Sequence, residues 1–498
     1  MDELPKIIQG GMGVAISNWR LARTVSRLGQ LGVVSGTALD QVLARRLEDG
    51  DPGGHMRRAF DAFPFRGMAE RVWNTYFIPG GKAPETPYTR LPTHAKECPR
   101  PLAEMGIIAN FVEVYLAREG HDNPVGINYL AKIQTPHLVA IYGAMLAGVG
   151  FVLMGAGIPL KIPGVLDAYV NHQPASYPLY VVGAQEGDDT TMHFTPRDFV
   201  EGDVPPLTRP RFLPIIASNT LAVTMLRKAN GKVDGFIIEG PTAGGHNAPP
   251  RGKLTLNELG EPVYGERDRV DLEKMRELGV PFWLAGGYGG PDVLQQALDA
   301  GAAGVQVGTA FAYCEESGLR ADYKRALLER VVRGEARVFT DPVASPSGFP
   351  FKVVQLEGTI SDESVYLERP RICDLGYLRE AYRTPEGEVG FRCSSEPVSI
   401  YVSKGGEVED TAGRKCICNA LVATAGAPQT RAKGKIVEAG IVTSGDDLTG
   451  IARFMRPGST SYTAADVIRV LLNQSEAPSV ETGRQANSDS VVSESSAS

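Results

Sequence analysis

Pro281-Phe282-Trp283-Leu284-Ala285-Gly286-Gly287 opens the stretch that sets the architecture. A short apolar run ends in two glycines. A helical pattern comes next, over residues 292–300, and then Gly304-Val305-Gln306-Val307-Gly308-Thr309 repeats the device. Continuous apolar runs of this length, bounded by glycine, read as strands buried on both faces. Two of them with a helix between read as a parallel βαβ unit.

The same pattern recurs upstream. Apolar runs at 6–10, 31–35, 124–128, 151–154, 212–217 and 233–239 end in glycine or a small polar residue, and each leads to a helical pattern. With the opening pair there are eight units. Eight parallel units close a (β/α)₈ barrel, and an open doubly wound sheet is the alternative. The expected fold is therefore a TIM-like barrel with insertions and an appended C-terminal subdomain. The barrel is placed at 1–334, with inserts near 51–119 and 177–194. The first insert is aromatic and proline-rich, and the second reads as a hairpin around residues 185–189. A Cys-containing subdomain follows at 335–435, then a helical segment at 436–474 with a capped helix over 463–472. The tail at 475–498 is serine-rich and almost free of large apolar residues, so it is expected to be disordered.

Bulk properties narrow the function. The 498 residues are 43% hydrophobic and 22% charged, with net charge −7. That suits a soluble globular protein and argues against a general surface for nucleic acid or anionic membrane. The apolar stretch at 138–160 is broken by glycines and Pro159, so it reads as helix, turn and strand, not as a membrane span. The first residues carry neither a basic region nor an apolar run, and the six cysteines are sparse. The expected compartment is the cytoplasm.

The active face of a parallel barrel lies at the C-terminal ends of its strands. The first strand runs into Gly10-Gly11-Met12-Gly13, and the third ends at Asn128. Glu239 ends the sixth, ahead of Gly240-Pro241-Thr242-Ala243-Gly244-Gly245-His246-Asn247. Gly286-Gly287 caps the seventh and Gln306-Val307-Gly308-Thr309 closes the eighth. Glycine-rich ends of strands seven and eight suit a phosphate, because bare N–H groups can approach its oxygens. The glycine turn after the first strand would let a flat ring lie against the backbone. Together these pieces describe a pocket for a phosphorylated planar cofactor. A loop histidine at its mouth, titrating near neutrality, can take a proton from a carbon acid or donate to an anion.

In the order and spacing of five motifs, the chain resembles the nitronate monooxygenases, formerly called 2-nitropropane dioxygenases. The related FMN-dependent enoyl-ACP reductases share much of the pattern. The motifs are Ile7-Ile8-Gln9-Gly10-Gly11-Met12-Gly13, Val125-Gly126-Ile127-Asn128, Ala243-Gly244-Gly245-His246, Leu284-Ala285-Gly286-Gly287 and Val305-Gln306-Val307-Gly308-Thr309-Ala310-Phe311. The likeness runs from residue 4 to about 316. It implies an FMN-binding barrel enzyme that oxidises alkyl nitronates with O₂ to a carbonyl compound and nitrite. It implies further that Gly11 and Met12 line the flavin and that Asn128 hydrogen-bonds it. Gly244 would approach the ring. Gly286, Gly287, Gln306, Val307, Gly308 and Thr309 would hold the phosphate end, and His246 would be the base or anion-positioning group. Glu239 stands where relatives commonly carry Gln; an ionised carboxylate there accepts hydrogen bonds but cannot donate them.

Two other functions compete: a flavin-dependent enoyl-thioester reductase using NAD(P)H, and a non-enzymatic flavin-binding scaffold. Cys373, Cys393, Cys416 and Cys418 fall in one region, as free thiols or as ligands of a structural metal. Tyr76, Phe77 and Tyr88 read either as packing or as a lid. The physiological substrate and the state of oligomerisation stay open at this level.

Overall fold

The computed structural model describes residues 4–474, so the tail expected to be disordered lies outside the described residues. Eight parallel strands form the centre: β1 (Ile7–Gln9), β2 (Gly32–Ser35), β3 (Val125–Leu130), β4 (Phe151–Gly155), β5 (Arg211–Ile216), β6 (Phe236–Glu239), β7 (Phe282–Ala285) and β8 (Gly304–Val307). They pair in the order β1-β8-β7-β6-β5-β4-β3-β2. A parallel bridge from Ile8 to Leu31 joins the two ends of that order and closes the barrel. The eight apolar runs of the sequence are these eight strands.

Strand interiors explain the closure. Ile8, Leu31, Val33, Leu153, Leu213, Ile237 and Trp283 form one buried cluster. Large branched and aromatic side chains fill such a barrel as a packed core, leaving no pore. Trp283 is fully buried, and its indole N–H donates to the Pro5 carbonyl at 2.7 Å, so its one polar atom is satisfied. Outer helices follow the strands. Trp19–Arg27 starts at Asn18, whose side chain caps the Leu21 N–H at 3.0 Å, and Asn219–Lys228 starts at Ser218, which caps Leu221 at 3.1 Å.

Between β2 and β3 the chain inserts three helices, His55–Ala62, Arg66–Tyr76 and Arg100–Arg118. Phe77 stacks on Trp73 with ring centroids 4.4 Å apart, and buried Tyr88 donates its hydroxyl to Asp49. Phe77 thus packs within the insert, while Tyr88 ties it to the chain before it and, through backbone bonds with the Gln429 side chain, to the C-terminal segment. In the 138–160 stretch the helix His137–Leu146 is followed by β4, and no helix among the described residues is long and apolar enough to cross a membrane.

After β8 and the helix Ala321–Val332 the chain returns over the barrel mouth. Strand Val338–Asp341 pairs antiparallel with Phe351–Val354. A second buried cluster mixes Val14, Ala38 and Ile133 from the barrel loops with Phe351, Tyr377 and Ile417 from this segment. The hairpin of the second insert, Ala175–Pro178 against Thr191–Phe194, also sends Val181–Val182 to pair with Glu380–Arg383. The C-terminal segment therefore shares its core with the end of the barrel that carries the glycine loops.

Candidate active site

A cavity of about 260 Å³ occupies the C-terminal end of the barrel. Its wall includes every site residue named from sequence: Gly11, Met12, Asn128, Glu239, Gly244, His246, Gly286, Gly287, Gln306, Val307, Gly308 and Thr309.

The first turn is braced from beneath. Ser17 Oγ donates to the Gly10 carbonyl at 2.8 Å and accepts from the Met12 N–H at 2.9 Å, while Gln9 Nε2 reaches Ser17 Oγ at 2.8 Å. Asn128 Nδ2 donates to the Gly11 carbonyl at 3.0 Å. A Cβ on Gly11 would meet Asn128 Cβ at 2.3 Å, so only glycine lets the two strand ends approach this closely. Gly11→Ala is expected to cost about 1–3 kcal/mol of stability through overpacking, read as a lowered denaturation midpoint. An unchanged midpoint would contradict the tight fit.

At the other side, Gly286 and Gly287 have φ of +90° and +78°. A Cβ on Gly286 would lie 3.0 Å from Thr242 Oγ1, which brings the β6 loop against the β7 turn. The N–H groups of Gly287 and Gly308 have no hydrogen-bond partner among the described residues. Two side-chain acceptors on the wall, Asn128 Oδ1 and Gln306 Oε1, are buried without a partner. Buried polar atoms are normally paired, so this set describes a site built for a ligand that carries both N–H donors and anionic oxygens.

His246 sits on the loop after β6. Its Nε2 is 2.7 Å from Ser345 Oγ, and its ring lies 4.7 Å from that of Phe351. Burial, with Lys132 nearby, pushes its pKa down to about 4. The expected titration near neutrality is thus displaced, and the imidazole is neutral at pH 7. Whichever tautomer the Ser345 contact selects, Nδ1 has no partner among the described residues. Glu239 shows the opposite shift: burial raises its carboxyl to about 8. No hydrogen bond or ion pair holds it among the described residues. A carboxyl without partners answers burial by keeping its proton, which restores a donor to this position.

Sequence reasoning missed that the C-terminal segment builds the other wall. Lys352 N–H donates to the Gly245 carbonyl at 3.0 Å, Asn247 N–H to Pro350 at 2.9 Å, and Gly245 N–H to Thr443 Oγ1 at 2.9 Å. A Cβ on Gly244 would come within 2.8 Å of Gly445 N. The only available signals were small-residue clusters, Ala344-Ser345-Pro346-Ser347-Gly348 and Thr443-Ser444-Gly445. Cys418 also lines the cavity, and burial raises its thiol pKa, as it does for Cys416. Cys373 is raised first by a hydrogen bond with Cys393 and then by burial. Among the described residues, no group of three or more His, Cys, Asp or Glu is placed to hold a metal ion.

Residues 211–344 match the family model for nitronate monooxygenase. Over 202 residues the chain is 29% identical to a nitronate monooxygenase from Pseudomonas aeruginosa, covering 40% of this chain and 54% of that protein. Over these residues the chain is similar to nitronate monooxygenases. A probable nitronate monooxygenase from Bacillus subtilis is 33% identical over 112 residues, covering 22% of this chain and 30% of that protein. The matches thus span about half, or less, of these relatives' length. Among solved structures, nitroalkane oxidase from Streptomyces ansochromogenes is 15% identical, covers 94% of this chain and 95% of that one, and has a TM-score of 0.45. The enoyl reductase domain of MlnA from Bacillus amyloliquefaciens is 12% identical, with 93% and 92% coverage and a TM-score of 0.42. The nitronate monooxygenase match contains Glu239, His246 and the glycine turns at Gly286-Gly287 and Gly308, whereas Gly11, Met12 and Asn128 lie outside it.

Proposed function

We propose that the chain is an FMN-dependent oxidoreductase that oxidises alkyl nitronates with O₂ to a carbonyl compound and nitrite. One observation carries the reading: a neutral His246 with a ring nitrogen to spare faces a glycine-walled cavity that holds two orphaned buried acceptors.

The residues present fit a flavin. Asn128 and Gln306 offer carbonyl oxygens to a ring N–H, which puts Gln306 at the ring and not at the phosphate end expected for it, and the turn at Gly11 and Met12 lines the same cavity. Gly287 and Gly308 offer N–H groups to a phosphate, and the turns at Gly286 and Thr309 frame them. What bound FMN supplies is passage of electrons from the nitronate to O₂. The protein's own groups do the rest. His246 Nδ1 takes a proton from the carbon acid or holds the anion by hydrogen bonding. Glu239, kept protonated, donates a hydrogen bond into the cavity without adding a second negative charge.

We also place the protein in the cytoplasm, with 1–334 as the catalytic barrel, and 335–435 with the helical segment 436–474 as its cap.

The test is an absorption spectrum of the purified protein, followed by steady-state assays with ethyl nitronate and propionate 3-nitronate. A flavin spectrum with O₂ consumption and nitrite release is expected. Rapid NAD(P)H consumption with an enoyl thioester, and no turnover of either nitronate, would make the protein a reductase. Inability to take up FMN would leave neither enzyme reading standing.

A further inference from the structure

A second cavity, about 240 Å³, lies beside the first. The two have four wall residues in common: Ala156, Ile215, Glu239 and His246. From that shared wall the side cavity extends between the β4 and β5 loops and the chain after His246. Ile158, Ile216, Leu221, Ala248, Pro249 and Phe349 make most of it apolar. Ile158 is 59% exposed, so an isoleucine stands largely in solvent where the β4 loop meets this cavity. An apolar chamber joined to a reaction centre at the two groups that would do the chemistry has the form of a substrate subsite.

We propose that this side cavity receives an alkyl tail of the substrate, whose anionic head lies against Glu239 and His246. The inference rests on the nitronate reading for the identity of the head group, and it adds the class of substrate: carbon acids with a medium-length alkyl chain. The charges around the junction suit such a molecule. Both shared titratable groups are neutral at pH 7, since burial raises Glu239 and lowers His246. Lys132, whose ammonium lies 4.9 Å from the centre of the Phe349 ring, supplies positive charge nearby. Arg251, Asp268 and Tyr264 on the chain after β6 line the side cavity too. Arg251 Nη2 donates to the Ala217 carbonyl at 2.9 Å, and its backbone N–H is held by Asp268.

Straight-chain carboxylates from propionate to octanoate are the probe, because a carboxylate mimics the planar anionic head without reacting. Binding to the flavin-loaded protein is measured by calorimetry. Each added methylene is expected to tighten binding about fourfold until the chamber is full. Leu221→Trp places bulk in the chamber from the first turn of the helix Asn219–Lys228 and should cut the octanoate-to-propionate affinity ratio at least about tenfold. Ala248→Phe, on an exposed loop position, should do the same if Leu221→Trp fails to fold. Affinity independent of chain length, or a ratio untouched by whichever variants fold, overturns the proposal. Length-dependent binding in a protein that turns over no nitronate leaves the tail site standing and removes the nitronate reading instead.

Discussion

His246→Ala is expected to slow turnover of ethyl nitronate by about 10²–10⁴ while the protein keeps its flavin spectrum. The separation comes from position. His246 shares its wall with Glu239 and with the side cavity, whereas the turns offered to the phosphate are at Gly287 and Gly308. The pH profile of kcat/KM adds a signature that lost packing would not give. A base whose pKa lies at about 4 is already neutral at pH 5, so the profile should be flat from there to neutrality. An acid limb near 6.5, the usual value for histidine, would mean that His246 is not enclosed. Unchanged turnover in the alanine variant would remove it from the mechanism. Stability carries the same sign. The folded state resists protonating His246 more than the unfolded chain does, so its contribution is full above about 6.5. It is lost as pH falls from there through 4.

Glu239→Gln is expected to act at the alkaline end. The amide copies the protonated carboxyl in shape and retains a donor. Below pH 7 the variant and the parent should have similar kcat/KM. At pH 9 the parent carboxyl, with a pKa of about 8, is about nine-tenths ionised, and the variant should be about tenfold more active. For stability the direction is again fixed by linkage. The folded state binds the Glu239 proton more tightly than the unfolded chain, so parent stability declines as pH rises from about 4.5 through 8. Glu239→Gln should therefore raise the denaturation midpoint at pH 9 more than at pH 5. Parallel profiles for the two proteins across this range would show that Glu239 is ionised or outside the reaction.

How much of the fold and site was readable from sequence depends on the kind of contact. Phe282–Ala285 is buried at every position, and that continuous apolar run, stopped by two glycines, is a local signal. Gly11 was legible as a turn, although its reason, the approach of Asn128 Cβ from 117 residues away, was not. His246 was found through its neighbours Gly244 and Gly245. Its partner Ser345 was not, because it lies 99 residues on in a run of small polar residues with no period. The displaced titrations of His246 and Glu239 were equally hidden. Both arise chiefly from burial, with Lys132 adding to the shift of His246, and burial is a property of the folded surroundings that local sequence does not display.

That covering segment also sets a timetable for the newly made protein. Gly245 is held by Thr443, and Gly244 lies against Gly445, each encoded about 200 residues later. At roughly 5–20 residues per second of synthesis, tens of seconds separate the emergence of the histidine loop from that of the residues that fix it. The barrel strands can begin to pack on the ribosome, but the loop that carries His246 cannot be fixed until residues 443–445 have emerged. The histidine loop is thus set later than the strands that carry it.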